Sequence, residues 1–184
     1  MVTNEKILNT KDISVSVIVL AYNVAPYIER CLNGILAQQV NFEFEVLIGE
    51  DCSTDETLEK INRLDLPNNY FVFSREKNLG LNENNLDLLR KAKGKYIAIC
   101  DGDDIWVSPT KLSEQVDLLD QDDSLCGCFT DANYIIDGKL ESNPNRYNRL
   151  TLSFEEILLG NVVSNSSVIY RNRNDICETK YFEN

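Results

Sequence analysis

Apolar residues in this chain gather in short runs that alternate with segments of helical spacing. Ser14-Val-Ser-Val-Ile-Val-Leu20, Phe44 to Gly49, Tyr70-Phe-Val-Phe73 and Tyr96-Ile-Ala-Ile-Cys100 are rich in β-branched and aromatic residues, as strands are. The first turns fully apolar and the last has no polar alternation at all, which is how a strand buried on both faces of a parallel sheet reads. Between them apolar side chains recur every three or four positions. Tyr27, Ile28, Cys31, Leu32, Ile35 and Leu36 follow Pro26 as a first helix. Ser53 and Glu56 have capping-box spacing ahead of Leu58, Ile61 and Leu64. Leu81 to Lys93 forms a third helix that Gly94 stops, and Ser108 and Pro109 stand as N-cap and first residue of a fourth that carries Leu112, Val116 and Leu119. Strand and helix alternate four times, which predicts βαβ units and a mainly parallel sheet flanked by helices.

The pattern changes after the fourth helix. Leu125 to Ile136 predicts a strand ending in the turn Asp137-Gly138, Ser153 opens a short helix with Glu156 at its third position, and Ser164 to Tyr170 predicts another strand. The expectation is an α/β protein of one domain over residues 1–184. Residues 1–12 form a loose polar leader, 13–121 the regular half, and 122–184 a small mixed C-terminal region. A chain of this length can bury roughly 70% of its unfolded surface in one core.

The Tyr96–Cys100 run empties into Asp101, Asp103 and Asp104. In open α/β sheets ligands bind outside the carboxyl ends of the strands, near a switch in strand order, so the three acids stand at the rim where a site belongs. Crowded carboxylates repel one another unless a cation lies among them, and an oxygen-rich set suits Mg²⁺ or Mn²⁺ holding phosphates. The competing reading is a solvated acidic turn or a structural calcium loop. An EF-hand loop beginning at Asp101 would need glutamate at its twelfth position, where Leu112 stands.

Composition narrows the chemistry. Hydrophobic residues make up 43% and charged residues 26%, and no apolar run approaches the ~20 residues of a membrane span. The start Met-Val-Thr-Asn-Glu-Lys lacks the basic and apolar regions of a secretory signal. Six cysteines without any histidine do not complete a zinc set; Cys126 and Cys128 are expected in the core, and reduced thiols point to the cytoplasm. The net charge of −12 disfavours nucleic acid, and an acidic protein that handles nucleotides needs a metal to do so. Without histidine, carboxylates are left as general bases at neutral pH.

Val17-Ile-Val-Leu-Ala-Tyr-Asn23, Val46-Leu-Ile-Gly-Glu-Asp-Cys-Ser-Thr-Asp55 and Asp101-Gly-Asp-Asp104, with Gly160-Asn-Val-Val-Ser-Asn-Ser-Ser-Val-Ile-Tyr-Arg171 after them, together resemble the family-2 glycosyltransferases of the GT-A fold. The resemblance runs from about residue 13 to residue 171 and implies a Rossmann-like GT-A sheet, in which 13–121 is the nucleotide-binding half and 122–184 part of an acceptor-side half. It implies that Ala21, Tyr22 and Asn23 border the base of a nucleotide-sugar and that Asp51 accepts a hydrogen bond from uracil. Glu50, beside it, is likewise expected to bind the nucleotide-sugar, although it stands where many members have aspartate, and Cys52 stands where many have glycine. It further implies that Asp101 serves ribose and metal, that Asp103 holds the diphosphate-bound Mn²⁺ or Mg²⁺, and that Gly102 and Asp104 lie against the metal and sugar. Trp106 covers the sugar or packs under the fourth helix; Asn161, Ser166 and Ser167 line the acceptor side or serve an ordinary strand.

The implied reaction is inverting sugar transfer from a UDP-linked donor to a saccharide or lipid-linked acceptor, at the inner face of a bacterial membrane. The family's catalytic base is an aspartate beyond the Asn-Ser-Ser strand. Asp175 and Glu183 lack its context, so the base is expected past Asn184 and the chain is expected to be a fragment. Two rivals stand beside this: a donor-binding domain without turnover, and a sugar nucleotidyltransferase. The latter wants a glycine-rich loop with Arg or Lys after its first strand, and Ala21 to Pro26 has neither.

Overall fold

A computed structural model describes residues 13–142, 153 and 163–173. Its centre is β1 (Ile13–Ala21), whose alternate side chains enter two separate cores. Val15, Val17, Val19 and Ala21 face α1 (Ile28–Leu36), α2 (Thr57–Arg63) and α4 (Lys111–Gln121), where Ile28, Leu32, Ile35, Ile61, Leu112 and Leu119 are buried. Ile18 faces the other way, with Leu47 of β2 (Glu43–Glu50), Ile97 of β4 (Tyr96–Asp101) and Leu88 of α3 (Leu81–Lys91). A strand covered on both sides has no solvent face to encode, hence its unbroken apolar run.

β3 (Tyr70–Ser74), β2, β1 and β4 are parallel, and β8 (Val168–Arg171) and β5 (Gly127–Phe129) extend the sheet to give the order β3-β2-β1-β4-β8-β5. β8 runs antiparallel to both of its neighbours. The chain walks outward from β1 to β3, then crosses back to lay β4 on the other side of β1. That reversal makes the gap between β1 and β4 the switch point.

Several local expectations are corrected. The capping box at Ser53 does not form: α2 starts at Thr57, and the Asp55 carboxylate accepts both the Thr57 N–H (2.9 Å) and its hydroxyl (2.5 Å). Ser53 is drawn away into loop contacts. α3 ends at Lys91, so Gly94 is no helix stop; a Cβ there would lie 2.4 Å from the Ser16 backbone nitrogen, and glycine is what lets the strands' amino ends close up. α4 begins after Thr110 rather than at Ser108. The long strand expected from Leu125 to Ile136 is two elements. β5 joins the main sheet, whereas β6 (Asn133–Ile136) pairs only with β7 (Lys139–Ser142). Asp137 and Gly138 close that hairpin with φ of 50° and 75°, the left-handed pair a two-residue primed turn requires. Ser164 to Tyr170 likewise divides into a 3-10 turn, Asn165–Ser167, and β8. Cys126 is exposed, because it precedes β5, while Cys128 packs against the core. The leader 1–12, the helix expected at Ser153–Glu156, and Asn161, Asp175 and Glu183 lie outside the described residues or, for Ser153, at a single described position.

Cys31 and Cys100 are buried free thiols with sulfurs 3.6 Å apart, in keeping with reduced cysteines. Among the described residues no helix is long and apolar enough to cross a membrane.

Candidate active site at the switch point

Parallel register brings the candidate residues to one rim. Ala21 pairs with Glu50 and Leu20 with Asp101, so the carboxyl ends of β2, β1 and β4 stand side by side. Two backbone bonds continue each strand into its loop: Gly102 N–H to Leu20 O at 2.8 Å and Asp51 N–H to Ala21 O at 2.9 Å. A side chain at Gly102 would press on that same Leu20 carbonyl and on Val24, each 2.9 Å from where its Cβ would stand, so the loop after β4 lies flat on the loop after β1.

The loops after β1 and β2 are laced together. Asn23, with φ of 53°, accepts the Thr54 N–H (2.8 Å) and hydroxyl (3.2 Å), and its own N–H donates to Ser53 Oγ at 3.0 Å. Val24 N–H donates to Thr57 Oγ1 and Ala25 N–H to Asp55 Oδ2. Tyr22 is left 46% exposed at the rim. The structure places Glu50 and Asp51 beneath these loops, both buried. Glu50 accepts the Ser53 N–H (2.7 Å) and the Ser74 hydroxyl (3.2 Å). Asp51 accepts the N–H groups of Leu79 (2.7 Å) and Gly80 (2.9 Å), which shapes the turn into α3 where Gly80 has φ of 84°. Each Asp51 oxygen keeps a second lone pair. The turn at Leu79-Gly80 is not marked by the sequence motifs, although a glycine opening a helix is a usable signal.

The acidic cluster has three unlike members. Asp103 is exposed. Asp101 is half-buried; burial first, then the charges of Asp104 and Asp103, push its carboxyl up to about 6, against a hydrogen bond from Asn165. Its Oδ1 is buried and has no hydrogen-bond partner. Burial also raises Asp104, partly offset by the Ser166 hydroxyl that donates to Oδ2, with Asp103 adding to the rise. A buried carboxylate oxygen without a donor is costly unless a cation or ligand meets it. The hard oxygen donors fit Mg²⁺ or Mn²⁺. Among the described residues no group of three or more His, Cys, Asp or Glu could hold an ion alone, so the remaining coordination would fall to phosphate and water, the usual pattern for these metals.

Trp106 is buried in the core, not laid over the rim: its indole N–H donates to Ser166 O at 2.8 Å and Lys111 Nζ sits 4.2 Å from its ring. Lys111, buried at the start of α4, carries no signal in the sequence because its helical position looks like that of any exposed lysine.

The sequence pattern of Glycosyl transferase family 2 matches residues 16–174. The UDP-Glc:alpha-D-GlcNAc-diphosphoundecaprenol beta-1,3-glucosyltransferase WfaP of Escherichia coli is 31% identical over 140 residues, 71% of this chain and 52% of that protein. The crystal structure of S. aureus TarS 1-349 in complex with UDP superimposes with a TM-score of 0.71 at 27% identity, over 93% of this chain and 52% of that one. The mannosyltransferase PcManGT of Pyrobaculum calidifontis, in complex with GDP-Man and Mn²⁺, superimposes with a TM-score of 0.57 at 27% identity, over 64% of this chain and 35% of that one. The chain therefore spans about half the length of the curated relatives it first matches.

Proposed function

The chain belongs to glycosyl transferase family 2, and from that premise we propose that its switch-point rim binds a UDP-linked sugar together with Mn²⁺ or Mg²⁺. The protein it forms, or forms part of, transfers that sugar with inversion to a saccharide or lipid-linked acceptor, working in the cytoplasm at the inner face of the membrane. The observation that carries this is the unpartnered, buried Oδ1 of Asp101 beside exposed Asp103, at the point where strand order reverses.

Asp101 and Asp103 would hold the cation, and its chemistry there is to neutralise charge growing on a departing diphosphate. Ala21, Tyr22 and Asn23 border the base through a loop that its bonds to Ser53 and Thr54 keep rigid. Asp51 has lone pairs left over from Leu79 and Gly80 with which to accept the ring N–H of uracil, while Glu50 braces the loop from below. Gly102 lets the β4 loop lie close, and Asp104 flanks the sugar side. No described residue is assigned as the base that deprotonates the acceptor. The support from relatives is that TarS was solved with UDP, PcManGT with Mn²⁺, and WfaP is named for a UDP-glucose donor and a diphosphoundecaprenol acceptor.

Isothermal titration of this chain with UDP should show binding that strengthens at least tenfold when Mn²⁺ is added, and Asp103→Ala should remove that gain, since loss of a ligand costs on the order of 1.4 kcal/mol or more. Equal binding with and without Mn²⁺, or tighter binding of GDP than of UDP, would overturn the metal or the nucleotide assignment respectively.

A further inference from the structure

The 3-10 turn Asn165–Ser167 lies more than sixty residues from the acids in sequence, yet the Ser166 side chain lands on them. Asn165, next to it in the turn, works against the rise that burial and the neighbouring acids give the Asp101 carboxyl. The Ser166 hydroxyl donates to Asp104 Oδ2, and its oxygen faces the Asp101 N–H at 3.4 Å. One hydroxyl thus bridges the first and last acids of the cluster. The turn is itself gripped from the α4 side. Trp106 Nε1 donates to Ser166 O (2.8 Å), Gln115 Nε2 to Ser167 O (3.0 Å), and Lys111 Nζ to Gln115 Oε1 (2.7 Å). Trp106, Lys111, Gln115, Ser166 and Ser167 are all at most 9% exposed.

Three carboxylates on four residues repel one another, and free side chains would spread apart over their rotamers, a disorder that ligand binding must then reverse. A hydroxyl that fixes Asp104 and meets the backbone at Asp101 removes part of that cost in advance and leaves Asp101 Oδ1 and Asp103 as the oxygens still open. Resting on the donor-binding reading above, we propose that Ser166 is a positioning residue that holds Asp104, and the backbone at Asp101, in the arrangement that receives a cation-bound diphosphate, with Trp106 as the strut behind it. The acceptor-side half thereby completes the donor site, through a turn that the strand order alone does not place there.

Partners of metal-bound groups typically contribute 10–100-fold in affinity. In calorimetry, Ser166→Ala should cut the Mn²⁺-dependent gain in UDP affinity by about tenfold, while UDP affinity without the cation stays within about twofold. A structural role would lower both affinities together, so a parallel loss overturns the inference, as does an unchanged Mn²⁺ gain. Parent protein that binds UDP without any Mn²⁺ gain, or no UDP at all, overturns the donor reading and this inference with it. Should Ser166→Ala fail to fold, Trp106→Phe, which keeps an aromatic ring and removes the N–H that grips Ser166 O, decides the matter by the same two affinities.

Discussion

Lys111 shows what a single residue's surroundings can do. Its ammonium is enclosed by Trp106, Gln115 and the thiols of Cys100 and Cys128, and burial pushes it down to about 8. An unfolded lysine titrates near 10.4. Between those values the unfolded chain holds a proton that the folded chain has released, so this residue makes stability rise with pH. The thiols act with the opposite sign: the contact with Cys31 and burial raise Cys100, and burial raises Cys128, so the folded protein keeps protons that unfolded thiols lose. The Lys111 contribution is therefore read by difference. Relative to the parent, Lys111→Met should lose urea resistance as pH climbs from about 8 to about 10, and matching slopes for the two proteins would refute the assignment. At this scale the sequence marked Asp101, Asp103 and Asp104 by their place at the end of an apolar run, and Asp51 through the family resemblance. It could not mark Lys111, Gln115 or Ser166 as partners, since polar residues carry no sign of being buried until something packs over them.

Among elements, strands were more legible than helix ends. β1 to β4 fall within a residue or two of their apolar runs, because burial on both faces leaves no alternative pattern. Helix starts shifted because capping side chains had competing partners: Ser53 serves Asn23 across a loop, and Asp55 takes over the start of α2. Gly94 illustrates the same point, being a packing glycine where the helical spacing predicts a stop. Gly94→Ala would drive a Cβ to 2.4 Å from Ser16 N and 2.9 Å from Ser16 Oγ, the acceptor for the Gly94 N–H, against backbone that cannot retreat. The expected outcome is a loss of about 1–3 kcal/mol in urea denaturation, the range for overpacking. A variant within about 0.5 kcal/mol of the parent, the ordinary scatter of surface changes, would show the junction to be softer than the geometry implies.

For the whole molecule the decisive element is β8, which enters between β4 and β5 and bonds to both. Ile169 is fully buried there, paired with Ala98 and Cys128. Ile169→Ala should cost about 2–5 kcal/mol, as large-to-small changes in a core do. Because the 165–167 turn leads directly into β8, the same variant should also weaken UDP·Mn²⁺ binding; undiminished binding in a folded Ile169→Ala protein would uncouple the strand from the site. The sequence by itself determined the class of fold, the four parallel strands and the rim acids, because hydrophobic period and local spacing are written along the chain. Only the tertiary structure decided the strand order, the splitting of residues 125–142 into a sheet strand and a separate hairpin, and the meeting of Ser166 with the acids. Those features depend on contacts between residues some sixty positions apart, and no local pattern encodes which distant backbone will satisfy a given donor.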